Sequence, residues 1–120
     1  MAQSYQDLIA WKKAMALARV VYAVTANFPK NEIFGLTAQM RRAAVSIPSN
    51  IAEGHARFSR KEFKHFLRNA RGSLAELETQ AILSKDLRYL KEEEAAELLK
   101  FTDELGRILT GLISSMKDDD

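Results

Sequence analysis

The sequence predicts an all-α protein: one up-down-up-down four-helix bundle whose second helix is kinked at Pro48. Three observations carry that reading. Apolar residues recur at three- and four-residue steps along four long segments. Helix start and stop signals fall between those segments. Only five glycines and two prolines occur in 120 residues, too few for the many turns of an all-β fold.

The first helix is expected from about Asp7 to Asn27. Leu8, Trp11, Met15, Ala18, Tyr22 and Thr25 share one face, and Ser4 with Asp7 resembles a capping box. Pro29 stops the helix by pushing the residue before it out of helical dihedrals.

The second helix starts between Asn31 and Leu36 and buries Leu36, Met40, Ala44, Ile47 and Ile51. That stripe keeps its phase through Pro48. A new helix starting at Pro48 would need Ile47 as its N-cap, a poor choice. The segment therefore reads as one helix kinked by Pro48, with Gly54 as its C-terminal stop. Pro48 removes the hydrogen bond to the Ala44 carbonyl, which Ser46, Ser49 or a water would serve instead.

Ser59-Arg60-Lys61-Glu62 is a capping box that opens the third helix. Its core face is Phe63, Phe66, Leu67, Ala70, Leu74 and Leu77, continuing to Ala81 and Leu87, and it ends near Tyr89. Glu92, Glu93, Glu94 and Glu97 crowd the first turns of the fourth helix, where the helix dipole favours negative charge. Lys91 is a weak N-cap. The fourth helix buries Ala95, Leu98, Leu99, Thr102, Leu105, Leu109, Leu112, Ile113 and Met116. Residues 1–120 thus read as one domain with a short lead, 1–6, and an acidic tail, 117–120.

Composition narrows the function classes. The chain is 47% apolar and 28% charged, as in a folded globular protein. It has no cysteine, which excludes disulfides and thiolate chemistry. No apolar run reaches the ~20 residues that span a bilayer, and the first residues lack the order of a signal peptide. A cytoplasmic protein without membrane attachment is the expectation.

Net charge is +2, but unevenly spread. Residues 41–71 hold eight Lys or Arg against Glu53 and Glu62, whereas residues 72–120 hold six basic and twelve acidic residues. Arg57, Arg60, Lys61, Lys64, Arg68 and Arg71 fall within roughly 100° of the third helix and its approach, clear of the core. Such a row of cations can track phosphates, making RNA or DNA backbone the candidate partner. The bland alternative is a solvated face, neutralised by acids of a neighbouring helix or subunit. No aromatic residue is interleaved in the row, so base stacking is not indicated.

Catalytic patterns are sparse. Glu62 and His65 form one Glu-x-x-His pair, as in di-iron bundles, but His55 has Ala52 at the glutamate position. His65 lies roughly 150° from the centre of the apolar face, so no metal site or cofactor is expected. Arg60 and His65 also have the Arg-x4-His spacing of HEPN-type ribonucleases, with the His as acid/base and the Arg on phosphate. Lys61 stands where that family favours a small polar residue. Trp11, Tyr22 and the phenylalanines follow core spacing. Arg42 lies opposite the apolar stripe, and Arg41 flanks it, placed for an ion pair across helices or subunits. Asn50 and Glu53 near Pro48 suggest hydrogen bonding in structure or assembly.

"DLIAWKKAMALARVVY", "FPKNEIFGLTAQMRRAAVSIPSNIAEG" and "GSLAELETQ" resemble the 23S rRNA intervening-sequence protein family, from about Asp7 to Met116. The resemblance implies a small bundle that assembles as a homopentameric barrel. Related proteins are accessory subunits of diversity-generating retroelements, in which a basic pentamer binds nucleic acid and a reverse transcriptase. It implies no enzymatic activity. Unlike those accessory proteins, this chain has an acidic C-terminal half. The leading expectation is a non-enzymatic oligomer contacting nucleic acid through its third helix. The alternatives are a purely structural or adaptor homo-oligomer and, third, a ribonuclease using Arg60 and His65.

Overall fold

A computed structural model describes residues 4–116. It contains four helices: α1 (Ile9–Thr25), α2 (Leu36–Ala56), α3 (Arg60–Asp86) and α4 (Glu92–Ser114). Among the described residues there is no strand. The expected tail, 117–120, lies outside them. α2 packs on α1 and α3, and α4 closes the arrangement against α3 and α1. The molecule measures 46 × 22 × 21 Å.

The apolar stripes of α2 and α4 bury as their spacing predicts. Leu36, Met40, Ala44, Ile47 and Ile51 are buried, and so are Ala95, Leu98, Thr102, Leu105, Leu109 and Ile113. Leu99, Leu112 and Met116 pack on the edge of that core. α2 stays helical through Pro48, which is itself buried. The Ser46 hydroxyl meets the Ser73 hydroxyl of α3 at 2.9 Å and accepts from the Asn50 amide at 3.0 Å.

Four readings of the elements need correction. Ser4 caps a single 3₁₀ turn, Tyr5–Asp7, by accepting from the Gln6 amide, and α1 starts only at Ile9. The buried face of α1 is Ala10, Ala14, Leu17, Ala18, Val21 and Thr25, rotated from the expected one by about 80°. Small alanines let the neighbouring backbones approach, while bulky Trp11 and Met15 stay at the margin and Tyr22 is exposed.

Gly54 does not stop α2, which continues to Ala56. It is buried because α3 crosses there: a Cβ at Gly54 would lie 2.6 Å from the Cβ of Phe66 and 3.1 Å from Cδ1 of Phe63. Phe63 and Phe66 consequently sit half-buried around Gly54, while Leu67, Ala70, Leu74, Leu77, Ala81 and Ser84 form the buried seam of α3. Leu87 is exposed because α3 ends at Asp86, short of Tyr89.

The start of α2 is set by a side chain from the preceding turn. Glu32 Oε1 accepts from the Leu36 amide at 3.1 Å, and Oε2 accepts from the Tyr89 hydroxyl at 2.9 Å. Gly35 leaves room for this, since a Cβ there would fall on Glu32 Oε1. The Leu36 amide, and then the Tyr89 hydroxyl, hold the Glu32 carboxyl below its ordinary range. The same bond pushes the Tyr89 phenol up. A depressed native pKa gives stabilisation that is present at neutral pH and lost as pH falls through the carboxylate range. Glu32→Gln is therefore expected to flatten the fall in thermal midpoint between neutral and acid pH. A slope equal to that of the wild type would remove Glu32 from the account.

Candidate nucleic-acid interface

The row of cations begins at the corner between α2 and α3. Ser59 Oγ accepts from the Glu62 amide at 3.2 Å, which fixes the first turn of α3 and the directions in which Arg60, Lys61 and Lys64 leave it. Arg60, Lys61, Arg68 and Arg71 are exposed. Lys61 and Arg68 make no hydrogen bond or ion pair among the described residues. They are separated by seven residues, two helical turns, so their side chains leave α3 on nearly the same side.

The structure divides the other members of the row. Arg57 pairs with Glu53 at 2.9 Å and lies 3.5 Å from Glu62. Its guanidinium also sits 5.1 Å from the centre of the Phe66 ring. The Glu53 hydrogen bond accordingly pushes the Arg57 pKa further up. Arg57 thus engages both acids of the 41–71 segment, and neither pairs with Lys61 or Arg68 among the described residues.

Lys64 departs from its expected place on a solvated face. It is buried, and its Nζ donates to the Met116 carbonyl at 3.1 Å, where α4 ends. The spacing is right for the row, but the end of α4 covers that position. A cation there also complements the negative end of the helix dipole. Further along, Arg71 enters a groove of about 570 Å³ between α3 and α4, lined also by Glu78, Asp103 and Arg107. Arg107 is paired with Asp103 at 3.2 Å, and Arg71 Nη1 donates to Thr110 Oγ1 at 3.5 Å, which turns Arg71 toward α4.

The assembly candidates resolve into local contacts. The Nε of Arg41 donates to Thr25 Oγ1 at 2.9 Å, and its guanidinium lies over the Tyr22 ring at 4.6 Å. Arg41 therefore ties α2 to α1 by a hydrogen bond and a ring contact; no ion pair joins it among the described residues. Asn50 donates to the Ser46 carbonyl at 2.8 Å, within α2 itself, whereas Glu53 is held by Arg57. Asn50 and Glu53 do not converge on one site. Arg42 is exposed beside Ser46, Ser73, Glu76 and Gln80 in a polar cleft between α2 and α3.

Arg60 and His65 are five residues apart, which turns them about 140° from each other around α3. The His65 ring packs edge-on against Phe66, and His55 packs edge-on against Phe63. Among the described residues no three His, Cys, Asp or Glu side chains gather to hold a metal ion. No helix among them is long and apolar enough to cross a membrane.

One residue at this corner was missed by the sequence reading. Phe58 stands between the end of α2 and the Ser59 cap, 92% exposed and at φ 54°. The missed signal was positional: it occupies the residue after the α2 C-cap, where glycine usually terminates a helix. It places an aromatic ring between Arg57 and Arg60 in the chain, against the expectation that no aromatic residue is interleaved in the row.

Comparison with known proteins follows the same lines as the fold. The sequence profile of a family described as 23S rRNA-intervening sequence protein matches residues 6–111. The chain is also similar to a solved crystal structure, a protein with unknown function from the S23 ribosomal protein family of Bacteroides thetaiotaomicron. The two are 25% identical, with a TM-score of 0.78, covering 88% of this chain and 98% of the other. No curated protein matches the sequence.

Proposed function

The chain belongs to the 23S rRNA-intervening sequence protein family, and from that premise we propose a non-enzymatic role in contacting nucleic-acid backbone. The protein works as a homo-oligomer, a pentamer by family resemblance, and presents the head of α3 from each copy. The observation that carries this reading is the pair of exposed cations, Lys61 and Arg68, that no described acid neutralises. Arg60 stands exposed beside them. Weak single sites repeated around an oligomer add by multivalency.

Self-association has its own support at the other end of α2. Ile33 and Phe34 are 55% and 94% exposed, and Leu83 and Leu87 are each 47% exposed. The bond between Tyr89 and Glu32 ties the turn before α2 to the segment that follows α3. Exposed apolar side chains gathered at one end favour burial against another copy. An adaptor oligomer that binds no nucleic acid uses this end alone.

The test is RNA and DNA binding by the purified protein across a salt series. Affinity is expected to fall steeply with salt, by a log–log slope of about −0.9 per neutralised phosphate on duplex. Arg60→Glu with Lys61→Glu and Arg68→Glu is expected to weaken binding roughly a hundredfold while leaving the particle mass unchanged. Binding that ignores salt, or survives the triple reversal, overturns the proposal. A triple variant that loses its oligomeric state instead supports the adaptor reading.

A further inference from the structure

Phe58 is placed where stability does not want it. Its backbone is left-handed, at φ 54°, a conformation that strains residues bearing a Cβ and suits glycine. Its ring is 92% exposed, so no packing offsets that strain. The corner is otherwise tightly built, with the Arg57 amide bonded to the Gly54 carbonyl at 3.3 Å and Ser59 capping α3. A bulky residue kept in a strained, unburied position points to use of the ring itself.

The surroundings indicate what the ring meets. Arg60 and Lys61 follow two and three residues later, both exposed, on the first turn of α3. Lysine, as at Lys61, is depleted at protein–protein interfaces. Sites for single-stranded nucleic acid combine the two features, with cations along the backbone and an aromatic face under a base. Bases in a duplex are stacked on each other and offer no free face to a side chain at the rim, whereas unpaired bases in loops and ends do.

We propose that Phe58 is a base-stacking platform and that this corner takes single-stranded or looped nucleic acid. One unpaired base lies on the Phe58 ring, and the flanking phosphates lie against Arg60 and Lys61. This rests on the nucleic-acid reading above and narrows it to unpaired strands.

The experiment compares a short fluorescent oligouridylate with a duplex of equal length, by anisotropy at one low salt concentration. The wild type is expected to prefer the single strand. Phe58→Ala is expected to weaken single-strand binding roughly tenfold and leave duplex binding unchanged, with Phe58→Trp restoring it. Phe58→Gly serves as the folding control: it relieves the left-handed strain, so its unfolding midpoint should equal or exceed that of the wild type while single-strand binding is still lost.

Unchanged single-strand affinity in Phe58→Ala, with binding still abolished by the triple charge reversal, overturns the stacking role and leaves the backbone reading standing. A wild type that binds neither probe overturns both. Altered particle mass in Phe58→Ala, with binding intact, makes the ring a protein contact and also overturns the proposal.

Discussion

Gly54→Val is expected to destabilise the protein by about 3 kcal/mol, the upper range for overpacking a filled interior. The first atom a Cβ at Gly54 would meet is itself a Cβ, that of Phe66, at 2.6 Å. A Cβ cannot rotate aside as the end of a long side chain can. Relief requires α2 and α3 to separate, which would open the seam formed by Ile47, Ile51, Leu67 and Ala70, all fully buried. Gly54→Ala makes the same clash but gains helix propensity of about 1 kcal/mol, so its net loss should be nearer 1 kcal/mol. Urea unfolding would read both as shifted midpoints with little change in slope. A valine variant with the wild-type midpoint would mean that the two helices do not meet this closely.

The second large effect concerns Lys64. Lys64→Glu is expected to cost about 3 kcal/mol, because it removes a charged donor from the Met116 carbonyl and brings an anion to the negative end of α4. Lys64→Met keeps most of the packed stem and is expected to lose only about 1 kcal/mol. The pair separates folding from binding. Lys64→Met should bind nucleic acid nearly as the wild type does, since the buried ammonium already serves the end of α4. Strongly weakened binding by a stably folded Lys64→Met protein would return Lys64 to the interface.

What the sequence made legible follows from which forces act locally. The stripes of α2 and α4 are built from large aliphatic side chains at regular steps, so spacing alone fixes their buried faces. The Ser59 cap is equally local, a hydroxyl meeting an amide three residues away. The face of α1 was not legible because alanine carries little hydrophobic signal, although Ala10 and Ala14 are buried. Gly54 reads as a terminator in isolation, and only the crossing of α3 shows that it is a contact point. Lys64 has the spacing of a solvated cation, and its burial depends on where α4 ends, more than 50 residues along the chain. At the candidate interface, Arg60, Lys61 and Arg68 were visible as a row. Phe58 was hidden because an aromatic residue beside charges looks like core until the backbone dihedral is known.

The elongated shape has an electrostatic consequence. The 21 residues of α2 rise about 30 Å between the apolar end at Ile33 and Phe34 and the basic corner at Phe58. In physiological salt the Debye length is about 8 Å, so that distance spans more than three screening lengths. A charge placed at one end is nearly invisible at the other. The two ends behave as separate addresses on one rod: substitutions at each should combine additively, and either surface can be altered while the other keeps its field.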